Sequence, residues 1–113
     1  MKVIVFVKAT TESESGGMPS QELLTAMGAY NESLVKAGIM LAGEGLKPSR
    51  YGKRIHFAGE TRTVTDGPFA ETKEALGGYY LVEAADLDEA LALAKQIPMP
   101  FGGVEVRPIR TMD

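Results

Sequence analysis

Five consecutive residues, Val3 to Val7 in MKVIVFVK, constrain this chain most: Val3, Val5 and Val7 alternate with Ile4 and Phe6, so a strand built from them is apolar on both faces. Such a strand belongs in the middle of a sheet and needs cover on both sides. That cover must come largely from a chain of 113 residues, the size of one ordinary domain. Residues 1–113 are therefore read as a single domain, and 44% hydrophobic with 24% charged residues supplies an ordinary globular core.

The remaining elements follow from periodicity. The polar loop TTESESGG at 10–17 leads to a helix that starts at Pro19 or Ser20, with Gln21 and Glu22 in its first turn. Leu23, Met27, Tyr30, Leu34 and Ala37 form one apolar stripe down it, and Gly38 ends it in the C′ position. Ile39 to Leu46 is extended, with Glu44 between Gly43 and Gly45. After the turn-rich KPSRYGK, the segments RIHF, AGE and TRTVTD read as a partly exposed hairpin. GGYYLVEA at 77–84 is a second central strand. Asp86 and Glu89 open a second helix with Leu87, Ala90, Leu91, Ala94 and Ile97 buried. PMPFGG stops that helix, and VEVRPI is a last strand whose Pro108 suits an edge or a strand end. This order is the α+β, ferredoxin-like βαββαβ plan with an inserted hairpin. Both helices cover one sheet face, so the apolar residues of the other face predict a homodimer packed sheet to sheet.

A net charge of −3 and the absence of any long basic run argue against nucleic acid. The lack of cysteine removes thiolate catalysis, disulfides and zinc–sulfur sites. Val3 to Val7 is too short for a membrane span or a signal segment, and a cytoplasmic protein with no membrane contact is expected. No His/Asp/Glu cluster has metal-ligand spacing, so neither metal nor cofactor is expected.

TDGPFAETKEALGGYY, at 65–80, carries the most specific chemistry. Pro68 holds Gly67 out of the α conformation and makes the turn stiff. Asp66 then has two readings. It caps the turn through the N–H groups of Phe69 or Ala70, or it points into a cavity against the first helix, where Phe69 excludes water and burial fits it for general-base work. On the second reading Met27, Tyr30, Glu44 and Tyr79 line the cavity with Asp66, Pro68 and Phe69, and Glu44 shares a proton with Asp66. His56, the only histidine, lies on the hairpin and is expected to face solvent, and the charges of AETKEA are read as a solvated face.

TDGPFAETKEALGGYYLVEAADLDEAL, with AGIMLAGEGLKP before it and VEVRPI after it, resembles the DGPF branch of the YCII-related proteins over nearly the whole chain. That resemblance implies a dimeric ferredoxin-like α/β barrel and places the segment Asp66 to Phe69 beside the cleft. It also implies a regulatory or stress setting, through an association of DGPF proteins with extracytoplasmic-function sigma factors. Some YCII-related proteins pair a helix-one histidine with an aspartate before a proline, and one branch removes chloride from a chlorinated hydroxyquinol. Here the matching stretches are LLTAMGAYNES and KQIPMP, with Tyr30, Asn31 and Ile97 near those places, so the dyad does not carry over.

Two functions are consistent with these residues. One is a ligand-binding or regulatory module with a small-molecule cleft near Asp66, favoured because the family dyad is missing. The alternative is a cofactor-free isomerase, lyase or dehydrochlorinase-like enzyme with Asp66 as base and Tyr30 or Glu44 as partner.

Overall fold

A computed structural model describes residues 1–69 and 74–111. In chain order its elements are β1 (Lys2–Lys8), the one-turn helix α1 (Thr11–Glu14), α2 (Gln21–Lys36), β2 (Met40–Gly45), a 3-10 turn at Ser49–Tyr51, β3 (Lys53–Ala58), β4 (Thr61–Asp66), β5 (Leu76–Glu83), α3 (Leu87–Lys95) and β6 (Val104–Pro108). Four strands form one antiparallel sheet in the order β2-β5-β1-β6, while β3 and β4 pair only with each other. This is the ferredoxin-like α+β arrangement, with the hairpin inserted between the second and third strands of the main sheet. β1 and β5 are its central strands, as their two-sided apolar character requires.

Alternation divides the sheet faces. Val3, Val5, Tyr80 and Val82 are buried under the helices with Leu34, Ala90, Ala94 and Ile97. Their neighbours Ile4, Phe6, Tyr79 and Leu81 lie on the opposite face, where register pairs Ile4 with Leu81 and Phe6 with Tyr79 and all four stay half-exposed. β6 is an edge strand and Pro108 is its last residue, a place where the missing N–H costs no ladder bond inside the sheet.

The helix boundaries have local causes. Ser20 caps α2 by accepting from the Leu23 N–H at 3.1 Å. At the other end Gly38, at φ +71°, donates to Val35 O while Ile39 donates to Leu34 O, which closes a Schellman turn. Asp86 caps α3 through the Glu89 N–H at 2.8 Å, and the Glu89 carboxylate reaches back to the Ala85 N–H.

Three readings need correction. The segment at 10–17 contains α1, because Thr10 and Ser13 form a reciprocal capping box that the sequence pattern T-x-x-S carries in its weaker form. The buried residues of α3 are Ala90 and Ala94, with Leu93 half-buried beside them and Ile97 buried just past the helix end, whereas Leu87 and Leu91 turn outward. Ala37 is the exposed C-cap of α2, one step past its buried stripe. No helix among the described residues is long and apolar enough to cross a membrane.

Candidate functional site

The stretch from Asp66 to Phe69 leaves the end of β4 and packs on the 3-10 turn at Ser49–Tyr51. Gly67 is required there. A Cβ at this position would lie 1.8 Å from the Ser49 carbonyl oxygen, so only a residue without a side chain permits the approach. The Gly67 N–H donates to Gly52 O at 3.0 Å, the Gly67–Pro68 bond is cis, and the Phe69 N–H donates to Ser49 Oγ at 3.3 Å.

Ser49 is held in turn from α1. Its N–H donates to Glu14 Oε1 at 3.0 Å and its hydroxyl donates to Glu14 Oε2, while Arg50 Nη1 donates to Glu14 O at 3.1 Å. The two hydrogen bonds from Ser49 hold the Glu14 carboxyl below its ordinary pKa, since they favour the charged form. A short acidic helix thus fixes the turn that fixes Phe69.

An open cleft of about 520 Å³ lies beside this assembly, lined by residues including Leu46, Lys47, Tyr51, Arg54, Phe69 and Leu76. A second hollow of about 400 Å³ lies across Arg54 and Phe69 from it and is lined also by Ile55, His56, Thr65 and Pro68. The Arg54 guanidinium carbon stands 3.9 Å from the Phe69 ring centroid, and Lys47 Nζ stands 5.5 Å from that of Tyr51. Apolar walls with a few cations at their edges suit a small organic ligand.

The seven residues expected around one cavity are not brought together. Phe69 lines both hollows and Pro68 the second. Asp66 lines neither: its side chain is 75% exposed and makes an ion pair with Lys53 across the base of the hairpin. The burial that general-base use needs is absent, and the capping alternative fails at Phe69, whose N–H goes to Ser49. Ala70 lies outside the described residues, as do Glu71 and Lys73 of AETKEA; Glu74 is exposed beside Lys8 at 3.8 Å.

Met27 and Tyr30 sit on the helix side, where Tyr30 meets Tyr80 edge-on at 6.0 Å and donates its hydroxyl to Leu93 O at 2.7 Å. Burial, and then the neighbouring Tyr80, push the Tyr30 phenol up to about 12. Glu44 and Tyr79 are register partners on the opposite face. The sheet itself therefore separates the two halves of the expected cavity, because Tyr79 and Tyr80 alternate and only Tyr80 faces α2. His56 is exposed, as expected, though it borders the second hollow.

Glu14, Lys47, Ser49, Tyr51 and Arg54 were not singled out by sequence reasoning. For Lys47, Tyr51 and Arg54 the one signal was the interleaving of Lys47, Arg50, Tyr51, Lys53 and Arg54 in KPSRYGKR, which reads as a turn until the fold sets it against Phe69; Glu14 and Ser49 carried none.

Comparison with known proteins agrees with this architecture. An uncharacterised protein of Rhizobium meliloti (strain 1021) is 40% identical over 93 residues, 79% of this chain and 74% of that protein. The structure of 5-chloro-2-hydroxyhydroquinone dehydrochlorinase from Burkholderia phenoliruptrix AC1100, in complex with 2,5-dihydroxybenzoquinone, matches over 97% of this chain and 94% of that one, with a TM-score of 0.53. At 16% identity that match shows a shared fold alone. The family model of the YCII-related domain matches residues 1–113, and the chain belongs to the YCII-related family.

Proposed function

We propose that this YCII-related protein, of the DGPF branch, is a small-ligand-binding module that works as a homodimer and reports its ligand in a regulatory setting. The observation that carries the proposal is the cleft of about 520 Å³ walled by Phe69, whose position is fixed by Gly67, Ser49 and Glu14. Rigid support behind a partly exposed aromatic wall is how a preformed binding site is built. The groups that would do chemistry are occupied elsewhere. Asp66 pairs with Lys53 in solvent, and the Tyr30 hydroxyl is committed to Leu93 O on the helix side. Binding is therefore favoured over a cofactor-free reaction with Asp66 as base. The half-exposed face of Ile4, Phe6, Tyr79 and Leu81 supports the sheet-to-sheet dimer, in which two such faces would close a barrel.

A thermal-shift screen of phenolic, carbonyl and carboxylate metabolites against the wild type, Phe69→Ala and Asp66→Asn tests the proposal, because a ligand specific for the folded state raises Tm. Stabilisation that Phe69→Ala abolishes and Asp66→Asn retains is the expected result. A ligand that depends on Asp66 and not on Phe69 would restore the catalytic-carboxylate reading.

A further inference from the structure

Two cations border the cleft without a carboxylate partner among the described residues. Lys47 and Arg54 are in contact with rings, over Tyr51 and Phe69, and neither takes part in an ion pair there. Glu74 also lines the cleft, 3.8 Å from Lys8 Nζ, a cation it shares with Glu105 at 3.6 Å, so its charge is offset only in part. With Lys47 and Arg54 against Glu74, the balance among the described lining residues is positive on a chain whose net charge is −3. The rest of the lining is Leu46, Pro48, Ser49, Gly52, Ala75 and Leu76, in which Ser49 is the one polar side chain and its hydroxyl is committed to Glu14.

Arg54 is placed for planar recognition. A guanidinium lying over an aromatic ring loses little by that contact, since its N–H groups point outward in its own plane and stay free for a second plane-edge partner. A carboxylate presents two coplanar oxygens of matching spacing, and the bidentate pair is among the stronger hydrogen-bonded contacts. Lys47 adds a point charge near Tyr51, and Leu46, Leu76 and Phe69 offer an apolar seat for a ring. We infer that the ligand of this cleft is a small aromatic carboxylate, its ring against Phe69 and the two leucines and its carboxylate on Arg54. The inference rests on the cleft being the binding site and names the chemical class that the cleft selects.

Isothermal titration of the wild-type protein with 4-hydroxybenzoate and with 4-hydroxybenzamide, matched in shape and differing in charge, tests the selection directly. The acid is expected to bind at least about tenfold more tightly than the amide, given the strength of a charge-assisted pair. Arg54→Gln should bring the two within about twofold of each other, and raised salt should weaken only the acid. Arg54 belongs to an exposed hairpin, and the acid-to-amide ratio in the wild type needs no variant to be informative. Equal affinities, both lost in Phe69→Ala, would overturn the charge selection and leave the binding site standing. Binding of neither probe, or acid binding that Arg54→Gln leaves unchanged, would overturn the inference.

Discussion

A Cβ on Gly67 would stand 1.8 Å from the Ser49 carbonyl oxygen and 2.7 Å from its carbon, and these backbone atoms cannot swing aside as a side chain can. Gly67→Ala must therefore push the Asp66–Phe69 turn off its support, at a cost of about 3 kcal/mol from overpacking. Gly28 is the contrast: it lies mid-helix in α2 with open space around its Cβ direction, so Gly28→Ala should stabilise by about 1 kcal/mol. Urea unfolding of the two variants checks both signs. Tyr30 gives a second residue-scale prediction. Its phenol is raised to about 12 from 10, so the folded state favours the neutral form; that stabilisation is whole below pH 10 and is lost as pH rises toward 12. Tyr30→Phe should cost about 1 kcal/mol at neutral pH, from the lost bond to Leu93 O, and should flatten the alkaline fall measured by denaturation across pH 9–12. Sequence alone showed that Gly67 and Pro68 make a stiff turn. It gave no sign of what the turn leans on, because Ser49 is 18 positions away and Glu14 is 35 from Ser49, and such contacts have no periodicity to read.

Among the elements, the β3–β4 hairpin differs most from the rest. Every residue from Lys53 to Asp66 is exposed, and among the described residues the two strands pair with no third. A two-stranded ribbon of that kind is marginal alone; here the Lys53–Asp66 pair closes its base, and Arg54 over Phe69 joins it to the turn that rests on Ser49. Amide hydrogen exchange should accordingly find its lowest protection in this hairpin and its highest in β1 and β5, with local opening well below global unfolding. Protection of the hairpin equal to that of β1 would mean that something covers it in solution. The elements other than α1 were legible: alternation gave the strands, Pro19 or Ser20 and the Asp86 cap marked the helix starts, and Gly38 marked a helix end. The face each side chain takes was less so. Glu44 and Tyr79 were placed with Tyr30, whereas the register of β2 on β5 turns them to the opposite side, and a one-residue difference in register decides that outcome.

As a whole molecule the chain is a slab of 45 × 43 × 18 Å, thin because helices cover only one side of the main sheet. Its radius of gyration of 15.8 Å exceeds the roughly 13 Å of a compact chain of this length, as the self-paired hairpin would require. The uncovered face underlies the proposed dimer. Sedimentation velocity at micromolar concentration should return twice the chain mass, and Phe6→Glu should return a folded monomer, since a charge desolvated at the centre of that face has no partner. A wild-type monomer would remove the dimer from the proposal. The two-sided character of Val3 to Val7 foretold the bare face, yet the cleft lies elsewhere, at the junction of hairpin, 3-10 turn and β5, where no single sequence pattern marks it. The ligand site is the central claim, and amide chemical-shift mapping by heteronuclear NMR, with the most stabilising compound of the thermal screen, tests it most directly. Shifts concentrated at Leu46–Gly52, Arg54, Phe69 and Leu76 are predicted; shifts concentrated instead at Ile4, Phe6, Tyr79 and Leu81 would contradict it and move the site to the open face of the sheet.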